Sequence, residues 1–191
     1  MENEKKALTA LVIDAEYVDA VAFDFIVNFE RMLGRRVQQA DLCDWLTCLS
    51  LDAGLRPGEE HEINASWLHE AGTSKLQNMA IPEGDYAFQH VAYHNSLGNF
   101  VLNAYPVEEE LTTKADFFVE SVNALGAMED VEKILLVPDF DSYGKQILPA
   151  IPTGKDVTLF VMEPFKDRRC YVENLGYSLA HALGIKGEEL S

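Results

Sequence analysis

Leu11-Val12-Ile13-Asp14-Ala15-Glu16 is an aliphatic run that stops at carboxylates. An unbroken apolar run of this length reads as a strand buried on both faces, the pattern of a parallel sheet. A second run, Ile134-Leu135-Leu136-Val137-Pro138-Asp139-Phe140-Asp141, repeats it near the other end of the chain. Ligands of open α/β sheets sit beyond the carboxyl ends of the strands. Aspartates that end two such strands therefore point at a site, and several together call for a counter-charge.

Outward from the first run, the strand covers about Ala7 to Ile13. Val18 to Leu33 follows as an amphipathic helix with Val21, Phe25, Phe29 and Met32 on one stripe, and Gly34 as its stop. Asp41 to Ala53 forms a second helix, broken at Arg56-Pro57-Gly58. In the middle third, Ile63, Ala65 and Trp67 alternate with polar residues, the period of a half-buried strand. Tyr86–Tyr93 and Phe100–Val107 are further strands, with turns at Asn95 and Gly98 and boundaries at Pro82 and Pro106. The last third predicts a helix over Asp116–Met128, a strand over Lys133–Val137 and a short helix over Gly144–Ile151. A strand over Val157–Met162 and a final helix over Val172–Leu183 complete it. Strands alternating with helices imply parallel pairing through right-handed crossovers. The expected fold is a three-layer α/β/α domain with a mainly parallel central sheet and extra strands in the middle third. A chain of 191 residues fits one such domain, residues 1–191, with a variable insert at about 55–110.

Composition narrows the functional classes. No apolar run reaches the length of a membrane-crossing helix. Met1-Glu2-Asn3-Glu4-Lys5-Lys6 is charged and lacks the apolar stretch of a signal peptide, so a cytoplasmic location is expected. Cys43, Cys48 and Cys170 are odd in number and form no CxxC pair, which gives neither a zinc site nor a disulfide framework. A net charge of -17 opposes broad contact with a polyanion. Basic residues cluster only at Lys5-Lys6, Arg31, Arg35-Arg36 and Lys166-Asp167-Arg168-Arg169, so RNA as a partner implies local contact or help from another protein. A second copy of the chain is a further candidate partner.

The acidic candidates are Asp14, Glu16, Asp116, Asp139 and Asp141. Their setting, Ile13-Asp14-Ala15-Glu16-Tyr17, then Lys114-Ala115-Asp116, then Val137-Pro138-Asp139-Phe140-Asp141-Ser142, then Asp156-Val157-Thr158-Leu159-Phe160-Val161, resembles the NYN branch of the PIN-like nuclease superfamily. That branch has an Ile-Asp-Gly-x-Asn strand end, a Lys-x-x-Asp helix entry and a Ser-Gly-Asp-Ser-Asp-Phe strand end. The resemblance implies a sheet of order 3-2-1-4-5 and a metal-dependent ribonuclease. Asp14, Asp116, Asp139 and Asp141 would be its catalytic residues, with Asp14, Asp139 and Asp141 holding Mg²⁺ or Mn²⁺. Such an ion would activate water and polarise the phosphoryl group. Lys114 and Lys145 are the candidates for phosphate contact. The chain departs from the family at Ala15 and Tyr17, where Gly and Asn are favoured, and at Val137-Pro138, which replaces Ser-Gly. Lys114 and Asp116 are also one residue closer together than usual.

Other readings stand beside this one. The departures fit a catalytically silent NYN-like interaction module. Val137 to Gly144 also resembles the Asp-x-Asp-x-x-Gly strand-turn of Toprim domains, a further route to metal-dependent phosphoryl transfer. A haloacid-dehalogenase start fails at Glu16 and Val18. Asp116 serves equally as a helix cap, Asp139 and Asp141 as an Asx turn, and Glu16 as a solvated residue. His90 and His94 suit polar packing, Trp45 and Trp67 the core, and the cysteines small apolar roles.

Overall fold

A computed structural model describes residues 7–72, 76–80 and 90–190. The first strand, β1 (Leu8–Asp14), is buried almost throughout because it has neighbours on every side. It pairs in parallel with β3 (His61–Glu70) on one edge and with β7 (Val131–Val137) on the other. Leu11 and Ile13 point into one apolar layer and Ala10 and Val12 into the opposite one. This alternation explains why the run has no polar face: both sides of the strand are covered.

The helices divide between these layers. α1 (Ala15–Leu33), α2 (Leu42–Asp52) and α5 (Gly176–Ala182) supply Val18, Val21, Trp45, Leu49 and Leu179 to one face. α3 (Lys114–Gly126) and α4 (Phe140–Ile147) bring Phe118, Val122, Tyr143 and Ile147 to the other. Among the described residues the main sheet has the order β5-β6-β3-β1-β7-β8-β9, where β5 is His90–Asn95, β6 Gly98–Val107, β8 Asp156–Val161 and β9 Tyr171–Asn174. All its pairings are parallel except the β5–β6 hairpin. A separate two-residue pairing joins β2 (Ala40–Asp41) to β4 (Met79–Ala80). The protein is thus an α/β domain with a mostly parallel central sheet of seven strands flanked by helices. No helix among the described residues is long and apolar enough to cross a membrane.

Side-chain capping sets where the helices begin. Asp14, Asp41, Thr113 and Asp139 each accept a hydrogen bond from a backbone N–H three residues on. Gly34 closes α1 in the left-handed conformation, with φ 64°.

Several expectations are corrected. The cap of α3 is Thr113 and not Asp116, so the helix starts at Lys114. α4 begins directly after Asp139 instead of at Gly144, because the Asp139 side chain captures the Ser142 N–H. The expected helix over Val172–Leu183 is split. Tyr171–Asn174 extends the sheet beside β8, and the Asn174 side chain then turns the chain by accepting from the Gly176 N–H at 2.6 Å. β3 is more buried than a half-buried strand: Ile63, Ala65, Trp67, Leu68 and His69 are all buried. The middle third contributes β3, β5 and β6 to the central sheet. The first half of the expected strand Tyr86–Tyr93 and the boundary at Pro82 lie outside the described residues.

Candidate functional site

Asp14 ends β1 and caps α1, which places its carboxylate at the carboxyl edge of the sheet with only 2% of the residue exposed. A buried carboxylate needs partners. Asp14 has three. The Lys114 ammonium donates to Oδ1 at 2.8 Å, the Tyr17 N–H donates to Oδ1 at 3.2 Å, and the Tyr143 hydroxyl donates to Oδ2 at 2.6 Å. Lys114 is the first residue of α3, and Tyr143 lies inside α4 at a kink with φ −141°. The two helices of one layer therefore meet on this single carboxylate.

Glu16 belongs to the same cluster. Its Oε1 lies 3.3 Å from Lys114 Nζ and also accepts from the backbone N–H of Glu70, at the end of β3. Among the described residues its Oε2 is buried without a hydrogen-bond partner. Burial, above all, raises the Glu16 carboxyl pKa above its ordinary value, against the pull of the Glu70 N–H and Lys114. Burial acts on Lys114 in the opposite sense, but Asp14 and Glu16 outweigh it and hold the ammonium above the ordinary lysine value. The cluster is a lysine clamped between two carboxylates.

Asp139 and Asp141 sit one strand away, after β7. Both Asp139 oxygens are engaged by Ser142, Oδ1 by its N–H at 3.3 Å and Oδ2 by its hydroxyl at 2.8 Å. Asp141 is exposed in the first turn of α4. Tyr17 connects the two halves of the edge. Burial first, then the charges of Asp141, Asp139 and Asp14, push its phenol up to about 12. Asp116 is exposed in the first turn of α3, where its backbone N–H donates to Thr113 Oγ1. Lys145 is exposed near the end of α4, beside a groove of about 620 Å³ lined also by Phe140, Asp141 and Phe165.

As they stand, these carboxylates are engaged by side chains of the chain itself. Lys114 and Tyr143 already occupy Asp14, and Ser142 occupies Asp139. Among the described residues no group of three or more His, Cys, Asp and Glu side chains is placed to hold a metal ion. The structure thus brings Asp14 to Lys114 and sets Asp139 and Asp141 near Tyr17, while Asp116 and Lys145 stay on the surface.

Residues 3–190, nearly the whole chain, match a family of unknown function, DUF6621. The chain belongs to this family. No curated protein and no solved structure matches it. For this DUF6621 protein, Tyr17 and Tyr143 are site residues that sequence reasoning did not select, while Glu16 was an acidic candidate set aside as solvated. Glu16 stood two residues from Asp14 and was read as solvated. Tyr143 carried no local signal, since its role depends on α4 folding back over β1.

The remaining singled-out residues of the DUF6621 chain have structural work. Trp45 and Trp67 are fully buried and meet edge to face, and the Trp45 indole N–H donates to Ser178 Oγ at 3.1 Å. His90 lies 3.1 Å from the Asn103 amide oxygen and His94 lies 3.3 Å from Glu60. Burial raises all three cysteine thiols above their ordinary pKa, Cys170 to about 11, which disfavours the reactive thiolate.

Proposed function

We propose that this chain is a non-hydrolytic, NYN-like domain that serves as a protein-interaction module. The observation that carries the reading is the saturation of Asp14 by Lys114, Tyr143 and the Tyr17 N–H. A catalytic carboxylate that works through a metal must offer oxygens to the ion. Here a lysine of the chain supplies the positive charge instead. The NYN-like part of the reading is supported by strand order. Leaving aside the antiparallel edge strand, the sheet runs β6-β3-β1-β7-β8-β9, so its first five parallel strands by chain position read 3-2-1-4-5. A net charge of -17 weighs against phosphate backbones as the main partner. Exposed aromatic residues on the β9–α5 side, Tyr171 and Tyr177, are the kind of side chain that protein interfaces favour.

The rival reading, metal-dependent hydrolysis of RNA, is favoured by one observation. Asp14, Asp139 and Asp141 all act on the Tyr17 hydroxyl, so three carboxylates share one edge of the sheet. One experiment separates the two. Mn²⁺ is titrated calorimetrically into the wild-type protein and Asp139→Asn, and each is incubated with single-stranded RNA and Mn²⁺. Absence of Mn²⁺ binding and of cleavage in both proteins is expected. Cleavage that the substitution abolishes would overturn the interaction-module reading.

A further inference from the structure

We infer that the outer edge of β9 pairs with itself: a second copy of this chain adds its own β9 antiparallel about Val172 and joins two central sheets into one. This rests on the interaction-module reading above and names a partner for it.

Among the described residues β9 ends the sheet, with β8 on one side and no strand on the other. Backbone groups alternate in direction along a strand, so half of those in β9 face β8 and half face outward. The Leu175 N–H donates to the Val161 carbonyl oxygen at 2.8 Å, which sets the phase. Tyr171 and Glu173 therefore turn their N–H and C=O groups to β8, and Val172 and Asn174 turn theirs to the open edge. The ladder also fixes the side-chain faces. Val172 pairs with Leu159 and packs, like Cys170, on the α3–α4 layer. Glu173 pairs with Phe160 and shares the opposite face with Tyr171.

These directions select one register. Two copies related by a two-fold axis must match outward residues with outward residues, so the axis passes through a residue and not between two. An axis at Glu173 would set two glutamates face to face, which is destabilising. An axis at Asn174 would oppose Val172 to Gly176, which is already helical. An axis at Tyr171 would need Arg169 extended, but the Asp167 side chain holds a turn there by accepting from the Arg169 N–H at 2.8 Å. An axis at Val172 keeps the strand as it is and lets the two Val172 residues exchange both backbone hydrogen bonds. Tyr171 of each copy then stands opposite the other copy's Glu173. Arg169 lies diagonal to that glutamate, within reach of a long side chain.

Charge and exposure favour a second copy at this edge. A net charge of -17 makes two copies repel. The corner beside β9 has the opposite balance, because Lys166, Arg168 and Arg169 outnumber Asp167 and Glu173. Arg169 and Glu173 make the edge complementary to itself. Tyr171 and Tyr177, 69% and 77% exposed, flank it and supply the aromatic contact that interfaces favour. A strand of four residues covers less area than a standard interface, so the dimer is weak and depends on concentration.

The test is sedimentation equilibrium of the full chain over a concentration series. The wild-type mass is expected to rise from one chain to two and no further, since a two-fold contact is closed. Val172→Pro removes an outward N–H and spares the ladder to β8, a place where an edge strand tolerates proline. It is expected to stay a single chain with an unchanged circular dichroism spectrum. Glu173→Arg, which sets arginines against each other and serves if the proline variant does not fold, is expected to do the same. The charge swap Arg169→Glu/Glu173→Arg is expected to restore the dimer. A wild type that stays single would overturn the inference and leave the edge to a strand of another protein. A dimer that survives Val172→Pro or Glu173→Arg, or a charge swap that stays single, also overturns it. None of these outcomes involves Mn²⁺ or RNA, whereas Mn²⁺-dependent cleavage lost in Asp139→Asn would end the interaction-module reading with the dimer intact.

Discussion

Lys114 and Asp14 stand 100 residues apart in sequence and 2.8 Å apart in space, and the bond between them joins the first turn of α3 to the end of the central strand. The side chains are 15% and 4% exposed, so this ion pair is largely removed from water. Surface pairs of the same kind contribute little, because water screens them. A buried pair differs chiefly in what happens when one partner is lost: the other is left as an unpaired charge.

Lys114→Met keeps the apolar stem and removes the charge. Breaking a buried pair from one side costs about 3–5 kcal/mol. The expected outcome is a clear fall in the urea midpoint at unchanged slope. An unchanged midpoint would show that Asp14 is adequately held by Tyr143 and the α1 backbone alone.

Tyr143→Phe removes the hydroxyl that donates to Asp14 Oδ2 at 2.6 Å and leaves the packing against Phe118 in place. Hydrogen bonds to charged groups contribute about 1.5–3 kcal/mol. A loss in that range by chemical denaturation is expected. Combined with Lys114→Met in a double-mutant cycle, the two changes should be non-additive because they share one carboxylate.

The tyrosine side chains predict the alkaline limb of stability. Tyr17 titrates near 12 in the folded protein, against an ordinary value of 10.0, so the folded state retains a proton that the unfolded state has released. Stability therefore falls as pH rises through that window. Lys114 adds a loss of the same sign above 10.5, its ordinary value, because its folded pKa is also raised. Absorbance at 295 nm should show Tyr17 ionising after the exposed tyrosines, and Tyr17→Phe should remove the component near 12, leaving that of Tyr93 and Tyr143, which burial also raises. A phenolate signal from Tyr17 at the ordinary pKa would refute the burial and charge crowding described for it.

Gly98→Ala tests the β5–β6 hairpin. Gly98 has φ 133°, and an added Cβ would stand 2.1 Å from the His61 carbonyl oxygen. Because the obstacle is the backbone of β3, it cannot rotate away. Overpacking of this kind costs about 1–3 kcal/mol, and the disallowed backbone conformation adds to it. The expected outcome is a lowered Tm with the greatest loss of amide protection in β5 and β6.

Much of the architecture was legible because it is written locally. The aliphatic runs of β1 and β7 announced a sheet covered on both faces, and Asp14 and Asp139 marked where those strands end. The same residues also cap helices, and that dual use follows from a short side chain that accepts from the next turn. The split of Val172–Leu183 was not legible. Val172 pairs as a strand only because β8 offers an edge there, and no property of the segment itself reports that neighbour. Likewise Lys114 was read as a phosphate contact, since a lone lysine near aspartates looks the same whether its partner is a ligand or the chain itself.

By itself, then, the sequence determined the alternation of strands and helices, the apolar layers and the carboxylates at the strand ends, all of which depend on near neighbours. The tertiary structure alone decided which charges meet. Asp14 finds Lys114 and Tyr143, from 100 and 129 residues away, because α3 and α4 pack on the same face of β1. Electrostatic and hydrogen-bonding energy depends on separation in space and on exclusion of water, and neither is encoded in the spacing of residues along the chain.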